Sequence, residues 1–377
     1  MNDNFQAVEQ YMRLAIEEAK KGEGFTHPNP LVGAVLEKDG KVLATGYHHR
    51  YGDLHAERDC LKSAREQGID PTGATLYVTL EPCCHTGKQP PCTQAIIDAH
   101  IARVVIGSRD PNNLVNGKGV AQLKAAGILV VQDFLKEECD ALNAIFFYYI
   151  THKMPYIIIK YAMTADGRTA TVTGKSKWIT GEKARENVHR TRARVAAVMT
   201  GIGTVKADDP LLTCRLDDGK EHHQPSRIVC DSALQLSANS ALVKSVDVSG
   251  VMCICCDELE MSALQRKEEL ERHGVEVIEC PKGADGRIDV AIALKMLGKR
   301  GIDSVLVESG GELAASVLPF ANEVQAYIAP KIFGGSCDVH TAIRGRGVDS
   351  PDDAEQFNLA GIEKFGDDVL LTYKRKR

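Results

Sequence analysis

Four side chains that follow Tyr51 have the types and the spacing of a catalytic metal site. They are His55, Glu57, Cys83 and Cys92, within the segments YGDLHAERDC and TLEPCCHTGKQPPC. One imidazole and two thiolates suit Zn²⁺, and three protein ligands leave the fourth tetrahedral position open for water. Zinc bound in this way lowers the pKa of that water toward neutrality. Glu57 lies two residues after His55, so it could carry protons beside the metal without binding it.

This pattern is close to that of the zinc-dependent base deaminases, in which H-x-E is followed by P-C-x-x-C. The spacing of the cysteines differs here, because eight residues separate Cys83 from Cys92. These residues are polar and rich in turn formers, so they could loop out and return Cys92 from the first turn of a helix. Cys84 is a competing ligand. We favour Cys83 with Cys92, because adjacent cysteines seldom bind the same zinc ion.

Other interpretations of the cluster remain open at this point. A structural zinc site would need four protein ligands, with Cys84 or His85 as the fourth, and would leave Glu57 without a task. A non-catalytic binding module and a deaminase of a free nucleoside or a tRNA base are further alternatives. Cys60 and Cys139 lie within helical apolar patterns, and we interpret both as packing residues.

Length and composition limit the class of protein. A chain of 377 residues suggests two domains. It has no apolar run of membrane-spanning length and no signal-peptide pattern, which predicts a cytoplasmic protein without a membrane partner. The 12 cysteines lack pairing spacings, which favours reduced thiols. With a net charge of −5 and interspersed charges, the chain is not expected to bind nucleic acid.

The elements that must position the cluster alternate between helices and strands. Apolar periodicity predicts helices over 5–20, 55–67, 92–100, 119–126 and 135–150, and strands over 31–36, 42–47, 74–80, 103–107 and 128–131. The strand that ends at Leu80 delivers Cys83, and the following helix begins at Cys92. Alternation of this kind predicts an α/β layer with its site at the carboxyl ends of the strands.

Two residues before the cluster are candidates for substrate contact. Pro28 and Pro30 fix the backbone around Asn29, whose amide could then face a base, although a plain Asn-Pro turn explains the segment equally well. His48 and His49 end a predicted strand shortly before His55, and one of them could also contact the substrate.

The second half restarts after a polar stretch over 151–155 that ends at a proline, which predicts domains over 1–150 and 151–377. Strands are predicted over 156–160, 196–199, 227–230, 251–255, 275–278, 304–307, 324–328 and 369–373, and helices over 182–194, 263–273 and 289–300. No G-x-G-x-x-G motif is present, so a Rossmann site is not indicated. The strand that ends before Glu308 leads into a glycine turn, which could offer backbone N–H groups to a phosphate. Arg192 and Arg215 could bind a phosphate, although a surface ion pair is the commoner role for each arginine taken alone.

Motifs in both halves resemble the bifunctional deaminase and reductase family of riboflavin biosynthesis. The first half contains HPNPLVGAV, GYH, HAE, TLEPCCHTGKQPPC and DPN. The second half contains DGRTAT, GKSKWIT, TVKADDPLLTCR, RIVCDS, VESGGELAAS and YIAPKIFGG. The long spacing between the two cysteines is the spacing of this family. Cys84 stands where we expect the family to have serine.

The resemblance implies a cytidine-deaminase-like α/β/α domain followed by a dihydrofolate-reductase-like α/β domain. It also implies two reactions on a phosphorylated pyrimidine. The first is zinc-dependent deamination of 2,5-diamino-6-ribosylamino-4(3H)-pyrimidinone 5′-phosphate. The second is reduction of the ribosyl chain by NADPH, giving 5-amino-6-ribitylaminouracil 5′-phosphate. A homo-oligomer is expected.

The resemblance further implies a role for individual residues. His55, Cys83 and Cys92 would hold zinc, and Glu57 would be catalytic. The deaminase substrate would contact Asn29, His48, His85 and Lys88, with the phosphate on Lys88. The cofactor site would comprise Ala162, Trp178, Thr204, Asp208, Ser232, Gly310, Gly311, Glu312, Leu313, Ala314, Ala315 and Ser316. The reductase substrate would contact Ser176, Arg192, Leu212, Arg215 and Glu308. Trp178, the single tryptophan, could instead be a core residue.

Overall fold

The computed structural model describes residues 5–112, 114–335 and 341–376. The chain divides between Lys153 and Met154 into two compact units, which we call the N-terminal unit and the C-terminal unit. Each unit is an α/β structure, as the alternation of predicted helices and strands indicated.

The N-terminal unit is built on a five-stranded sheet of order β2-β1-β3-β4-β5. Its strands are β1 (Gly33–Lys38), β2 (Lys41–Tyr47), β3 (Thr75–Leu80), β4 (Arg103–Ser108) and β5 (Leu129–Val131). Its helices are α1 (Glu9–Lys20), α2 (Ala56–Glu66), α3 (Cys92–Asp98), α4 (Lys118–Ala125), α5 (Lys136–Leu142) and α6 (Ala144–His152). Strands β3, β4 and β5 are parallel, and β1 runs antiparallel to both of its neighbours. The carboxyl ends of β3 and β4 therefore lie side by side.

Helices cover both faces of this sheet, so every residue of β3 is buried. On one face, Met12 of α1 and Cys139 of α5 pack with Tyr77. On the other face, Cys60 of α2 and residues of α3, α4 and α6 form a larger core around Leu76. The unit thus has the α/β/α layers that the resemblance implied, and Cys60 and Cys139 are core residues.

The single helix predicted over 135–150 is two helices in the structure, so this prediction was wrong. Asn143 separates them. Its side chain accepts a hydrogen bond from the backbone N–H of Leu31 at 2.8 Å and donates one to the Leu31 carbonyl at 2.9 Å. Asparagine side chains compete with helical hydrogen bonds for backbone groups. Apolar periodicity cannot reveal a partner that lies so far away in the sequence.

The C-terminal unit contains a nine-stranded sheet of order β10-β9-β8-β7-β11-β6-β12-β14-β13. The strands are β6 (Tyr156–Thr164), β7 (Ala197–Gly201), β8 (Ser226–Cys230), β9 (Val251–Cys256), β10 (Glu276–Cys280), β11 (Ser304–Val307), β12 (Ala321–Ala329), β13 (Phe357–Phe365) and β14 (Asp368–Arg375). The α-helices are α7 (Glu182–Arg194), α8 (Ile202–Asp208), α9 (Ala241–Lys244), α10 (Met261–Arg272), α11 (Val290–Lys299) and α12 (Gly311–Val317). The first seven strands in this order are parallel, and the last two are antiparallel to their neighbours.

Every strand predicted in the second half is present. Parallel strands that are covered on both faces have continuous apolar sequences, which explains why Tyr156 to Ile159 could be recognised from sequence. The three cysteines of β9 are buried, consistent with a packing role. Strand β13 was not predicted, because most of its residues are exposed and its sequence does not alternate regularly. Within the described ranges, no helix combines the length and the hydropathy needed to cross a bilayer.

Candidate active sites

The three predicted zinc ligands meet at the carboxyl end of β3. His55 directly precedes α2, Cys83 follows β3, and Cys92 is the first residue of α3. Their ligand atoms all lie within 4.8 Å of one another. Nδ1 of His55 is 3.5 Å from Sγ of Cys83 and 3.4 Å from Sγ of Cys92. One ring nitrogen and two sulfurs at these separations fit a zinc ion with an open fourth position. Cys84 is directed elsewhere, with Sγ 3.7 Å from the carbonyl of Leu114.

Hydrogen bonds within the cluster prepare Cys83 to bind a cation. A hydrogen bond from the Cys92 thiol lowers the pKa of Cys83 to about 4. The same bond, followed by burial, raises the pKa of Cys92. The backbone N–H of Cys92 also donates to Sγ of Cys83 at 3.4 Å. Because the thiolate is the form that binds metal, Cys83 presents a ligand that needs no further deprotonation near neutral pH.

Glu57 lies in the first turn of α2, beside the cluster. It is only 3% exposed. Burial, followed by the charge of Cys83, raises the pKa of its carboxyl group. A carboxyl group whose pKa is raised toward the working pH is suited to accept and return a proton.

Close packing and one arginine fix the position of α2. A Cβ atom on Gly46 would lie 2.2 Å from the backbone nitrogen of Cys60, so glycine lets the helix approach β2. Arg58 donates hydrogen bonds to the carbonyls of Pro90 at 3.0 Å and Pro91 at 2.8 Å, which holds the loop in front of Cys92. Arg58 was not predicted from the sequence, because its partners lie more than 30 residues away.

Two buried carboxylates near the cysteines were also missed. Glu81 accepts hydrogen bonds from the backbone N–H groups of Gly117 at 3.1 Å and Val120 at 3.2 Å, which ties the segment before Cys83 to the start of α4. Burial raises the pKa of Asp110 to about 6. Their motifs, E-P-C and D-P-N, were visible in the sequence, but no spacing rule gave either acid a role.

Asn29 and His48 contact each other. The His48 Nδ1 atom lies 2.9 Å from the Leu54 carbonyl, and its Nε2 atom lies 3.1 Å from the Asn29 side-chain nitrogen. A carbonyl can only accept, so Nδ1 carries the hydrogen and Nε2 accepts from Asn29. Burial lowers the pKa of His48, which favours this neutral form. The rings of His48 and His55 meet edge to face, with centroids 5.5 Å apart. Asn29 is thus held through His48 beside the cluster, which a plain turn would not require.

His85 and Lys88 lie in the loop between Cys83 and α3. Nδ1 of His85 is buried and has no hydrogen-bond partner among the described residues. Lys88 is exposed, and its Nζ atom lies 3.8 Å from the centroid of the Tyr51 ring. An unpartnered ring nitrogen and an accessible cation are groups that a phosphorylated ligand could use.

The C-terminal unit contains a cleft of about 1170 Å³ at the carboxyl ends of its parallel strands. With two exceptions, all residues assigned by resemblance to the cofactor or to the reductase substrate line this cleft. The exceptions are Ala314, which is buried in the hydrophobic core, and Ala315, which packs near Gly345. A Cβ atom on Gly203 would meet no other atom within 4 Å, and one on Gly310 would meet only the Thr204 hydroxyl at 4.0 Å, so the backbone at both glycines is accessible to a ligand.

Glu308 is the centre of a charged group in this cleft. Its side chain is 11% exposed, and its carboxylate accepts from Nε of Arg192 at 2.6 Å and from Nη2 at 3.1 Å. Nζ of Lys160 lies 3.5 Å from the same carboxylate. Burial alone would raise the pKa of Glu308, but the charges of Arg192 and Lys160 outweigh burial and lower the pKa to about 2. Lys160 was not predicted from the sequence, although a lysine near the end of an apolar strand is a signal that could have indicated it.

Arg215 and Trp178 complete the predicted contacts. Arg215 donates to Oγ1 of Thr213 at 3.1 Å, and its backbone N–H donates to Nδ1 of His189 at 3.2 Å. Trp178 is 64% exposed, and its ring lies 4.6 Å from the guanidinium carbon of Arg185. It is therefore not a core residue.

The N-terminal unit holds a His-Cys-Cys cluster beside a buried glutamate, and the C-terminal unit holds a charged cleft. These two sites define a zinc-dependent deaminase joined to a reductase. Comparison with known protein families supports the same class. Residues 6–108 match the cytidine and deoxycytidylate deaminase zinc-binding region, and residues 155–371 match the RibD C-terminal domain. The chain belongs to the RibD family of riboflavin biosynthesis proteins.

Relatives match over nearly the whole chain. The riboflavin biosynthesis protein RibD of Actinobacillus pleuropneumoniae is 47% identical and covers 96% of this chain and 94% of its own. The riboflavin biosynthesis protein RibD of Aquifex aeolicus is 41% identical and covers 97% of this chain and 98% of its own. A solved Thermotoga maritima structure has a TM-score of 0.85 at 39% identity, with 98% of each chain covered. A structure of Acinetobacter baumannii RibD has a TM-score of 0.86 at 34% identity, with 98% of this chain and 99% of that chain covered.

Family membership confirms several predictions made from the sequence. The family, the α/β fold class with its cytidine-deaminase-like first domain, and the pairing of deaminase with reductase activity in riboflavin biosynthesis are confirmed. Zinc and NADPH are the cofactors of the two activities. The roles of individual residues remain predictions.

Proposed function

We propose that the N-terminal unit deaminates 2,5-diamino-6-ribosylamino-4(3H)-pyrimidinone 5′-phosphate and that the C-terminal unit reduces the ribosyl chain of the product. The observation that carries the proposal is the cluster of His55, Cys83 and Cys92 beside buried Glu57, in a chain that also holds the charged cleft. The Thermotoga relative is named as a diaminohydroxyphosphoribosylaminopyrimidine deaminase and 5-amino-6-(5-phosphoribosylamino)uracil reductase. Ammonia release from the first compound, followed by NADPH oxidation on the product, tests the proposal.

In the deaminase, His55, Cys83 and Cys92 would hold zinc. When bound, zinc supplies a water molecule acidic enough to act as nucleophile near neutral pH. Glu57 would accept one proton from the attacking water and deliver it to the exocyclic nitrogen, which leaves as ammonia while the oxygen of the water stays on the ring carbon. Asn29, oriented by neutral His48, binds the pyrimidine edge.

His85 and Lys88 provide the remaining contacts of the deaminase substrate. The unpartnered Nδ1 of His85 supports a hydrogen bond to the substrate. Lys88 is exposed on the same loop and can reach the 5′-phosphate without first breaking a buried ion pair. Both residues therefore select a phosphorylated ribosyl substrate.

In the reductase, NADPH supplies the hydride, and the chain positions the nicotinamide against the sugar carbon. Glu308 holds Arg192 and Lys160 in fixed places, while Thr213 aligns Arg215. Arg192 and Arg215 present two cations to the substrate phosphate.

Replacement of Cys92 tests the ligand assignment. Because a serine oxygen is a poor replacement for a thiolate on zinc, we expect Cys92→Ser to reduce bound zinc from one equivalent to less than about 0.1 and to abolish ammonia release. NADPH oxidation on pre-deaminated substrate should continue. Elemental analysis of the purified protein measures the zinc. The matched control is Cys84→Ser, which should keep zinc; zinc loss in this control would instead identify Cys84 as the ligand.

We further propose that the enzyme is a homo-oligomer in which two copies of the chain pair through β13. This strand is the last of its sheet, and Ile362 on it is 64% exposed. Exposed edge strands with apolar side chains tend to pair with another chain. Antiparallel pairing of two β13 strands about Gly361 would place Phe357 of one opposite Phe365 of the other.

A charge on this strand tests the interface. Ile362→Glu would place one carboxylate on each of the two paired strands, diagonally across from the other, so we expect the oligomer to dissociate into lower-mass species in light scattering after size exclusion. Met261→Glu is the control, since Met261 is 75% exposed and lies on α10, away from this strand. An unchanged mass for Ile362→Glu, or an equal loss in both variants, would contradict the interface.

We also place the enzyme in the cytoplasm. Each cysteine among the described residues is a free thiol, and a reducing compartment preserves Cys83 and Cys92 as zinc ligands. Enzyme activity in the cytosolic fraction of producing cells would support this assignment, and activity confined to an oxidising compartment would contradict it.

A further inference from the structure

The order of the strands indicates the direction in which NADPH crosses the cleft. Lys160 on β6 and Glu308 after β11 lie on neighbouring strands, at the end of the cleft that the proposed function assigns to the substrate. Strands β7 and β8 follow β11 in the sheet, with neighbouring strands about 4.8 Å apart. The cleft continues in that direction to Ser232, after β8, and to Arg287. Because the nicotinamide must lie against the substrate, the adenosine end of the cofactor extends toward Ser232 and Arg287.

Arg287 lies at this distal end, in the loop between β10 and α11. The loop is attached to the end of β8, because the backbone N–H of Ile288 donates to Oγ of Ser232 at 3.2 Å. Nη1 of Arg287 donates to Oε2 of Glu312, in the first turn of α12, at 2.6 Å. Its side chain is 60% exposed, so the guanidinium is accessible to a ligand.

The charges around Arg287 suit an anion that can displace a carboxylate. Its partner Glu312 is also exposed, and exposed ion pairs are weak, so a phosphate dianion can replace Glu312 at little cost. Arg344 packs on Gly311 and contributes a second positive charge near Glu312. The other nearby carboxylate, Asp285, accepts the backbone N–H of Arg287 at 3.0 Å.

We propose that Arg287, with the hydroxyl of Ser232 beside it, binds the 2′-phosphate of NADPH and selects NADPH over NADH. This inference rests on the proposed reductase function. The planar guanidinium can donate two parallel hydrogen bonds to a phosphate. NADH carries a hydroxyl group at the same place, which cannot displace Glu312 and leaves Arg287 in its ion pair.

Calorimetric titration of the full-length zinc-loaded protein tests the proposal without measuring activity. For Arg287→Ala we expect the Kd of NADPH to rise about 10- to 100-fold, the range given by loss of charge-assisted hydrogen bonds. The Kd of NADH should stay within about twofold. Adenosine 2′,5′-bisphosphate should lose affinity by the same factor as NADPH, whereas adenosine 5′-phosphate should not. Arg287→Lys should recover part of the NADPH affinity, because it restores the charge without the planar fork.

The matched control is Arg300→Ala. Arg300 forms a comparable exposed pair with Glu276 at 2.8 Å in the same unit, outside the cleft, and its loss should leave both affinities unchanged. An unchanged ratio of NADPH to NADH affinity in Arg287→Ala would overturn the proposal. Equal weakening of both cofactors would also overturn it, since Arg287 would then support the cleft in general. If the unmodified protein binds neither cofactor, the reductase function itself fails.

Discussion

Glu57→Gln is expected to lower the rate of ammonia release by about 10²- to 10⁴-fold, the range typical for loss of a general acid and base. The amide has nearly the shape of the carboxyl group but cannot accept and return a proton. Since Glu57 is not one of the three clustered ligands, bound zinc should remain at one equivalent. NADPH oxidation on pre-deaminated substrate should be unchanged, because that reaction belongs to the other unit.

The measurements are ammonia release, zinc content and NADPH oxidation on one protein preparation. The matched control is Glu66→Gln, at the exposed end of the same helix, which should leave all three unchanged. Full deaminase activity in Glu57→Gln would show that Glu57 is not the proton carrier. Loss of zinc together with ammonia release would instead make Glu57 a ligand, and loss of both reactions would contradict two separable sites.

Glu308→Gln is expected to have the largest effect in the C-terminal unit. The substitution leaves Arg192 and Lys160 with their charges and without a buried carboxylate between them. Breaking a buried ion pair by removing one partner destabilises a protein by about 3 kcal/mol. The misplaced cations should also slow the reduction by about 10²-fold, as small displacements of positioning groups do. Ammonia release should continue at the normal rate.

The stability effect should depend on pH in a direction that the pKa of Glu308 fixes. This pKa is lowered to about 2 in the folded protein, well below its usual range near 4. The ionised carboxylate therefore stabilises the fold fully above the usual pKa, and the stabilisation is lost as pH falls toward about 2. Scanning calorimetry should show that the free energy of unfolding differs between the unmodified protein and Glu308→Gln by a constant amount from pH 7 to about 5. The difference should become smaller below pH 4.

Glu276→Gln is the control for this experiment, because Glu276 forms an exposed pair with Arg300 in the same unit. Exposed ion pairs contribute about 0–1 kcal/mol to stability, so the unfolding temperature of Glu276→Gln should shift little. A Glu308→Gln variant that unfolds at the same temperature as the unmodified protein, or whose difference grows at low pH, would contradict the ion-pair assignment.

The metal cluster and the alternation of elements could be predicted from sequence, because each leaves a local signal. His55 and Glu57 are two residues apart at a helix start, and Cys83 and Cys92 each follow a proline at the edge of an element. Zinc accepts few ligand types in few geometries, so such a set limits the interpretation strongly. The turn between β1 and β2 also has a local signal: Asp39 and Gly40 both have positive φ, and Asp-Gly is a dipeptide that favours this conformation in a tight hairpin.

Contacts between distant residues could not be predicted in this way. Asn143 ends a helix by pairing with Leu31, and Arg58 holds a loop that lies over 30 residues away. Taken alone, Arg192 indicated a surface ion pair more than a phosphate contact, and nothing in the sequence pointed to a buried ion pair. Only the fold brings it to Glu308 across 116 residues and adds Lys160 from a third element. The same is true of Arg287, which nothing in the sequence distinguished from other exposed arginines.

By itself, the sequence determined which chemistry this chain can perform, because ligand types, a proton carrier and the order of helices and strands are properties of short segments. The tertiary structure alone decided which charges are buried, which are paired and which face the cleft. Burial and pairing depend on the distance between atoms of residues far apart in the chain, and that distance exists only once the sheets have formed.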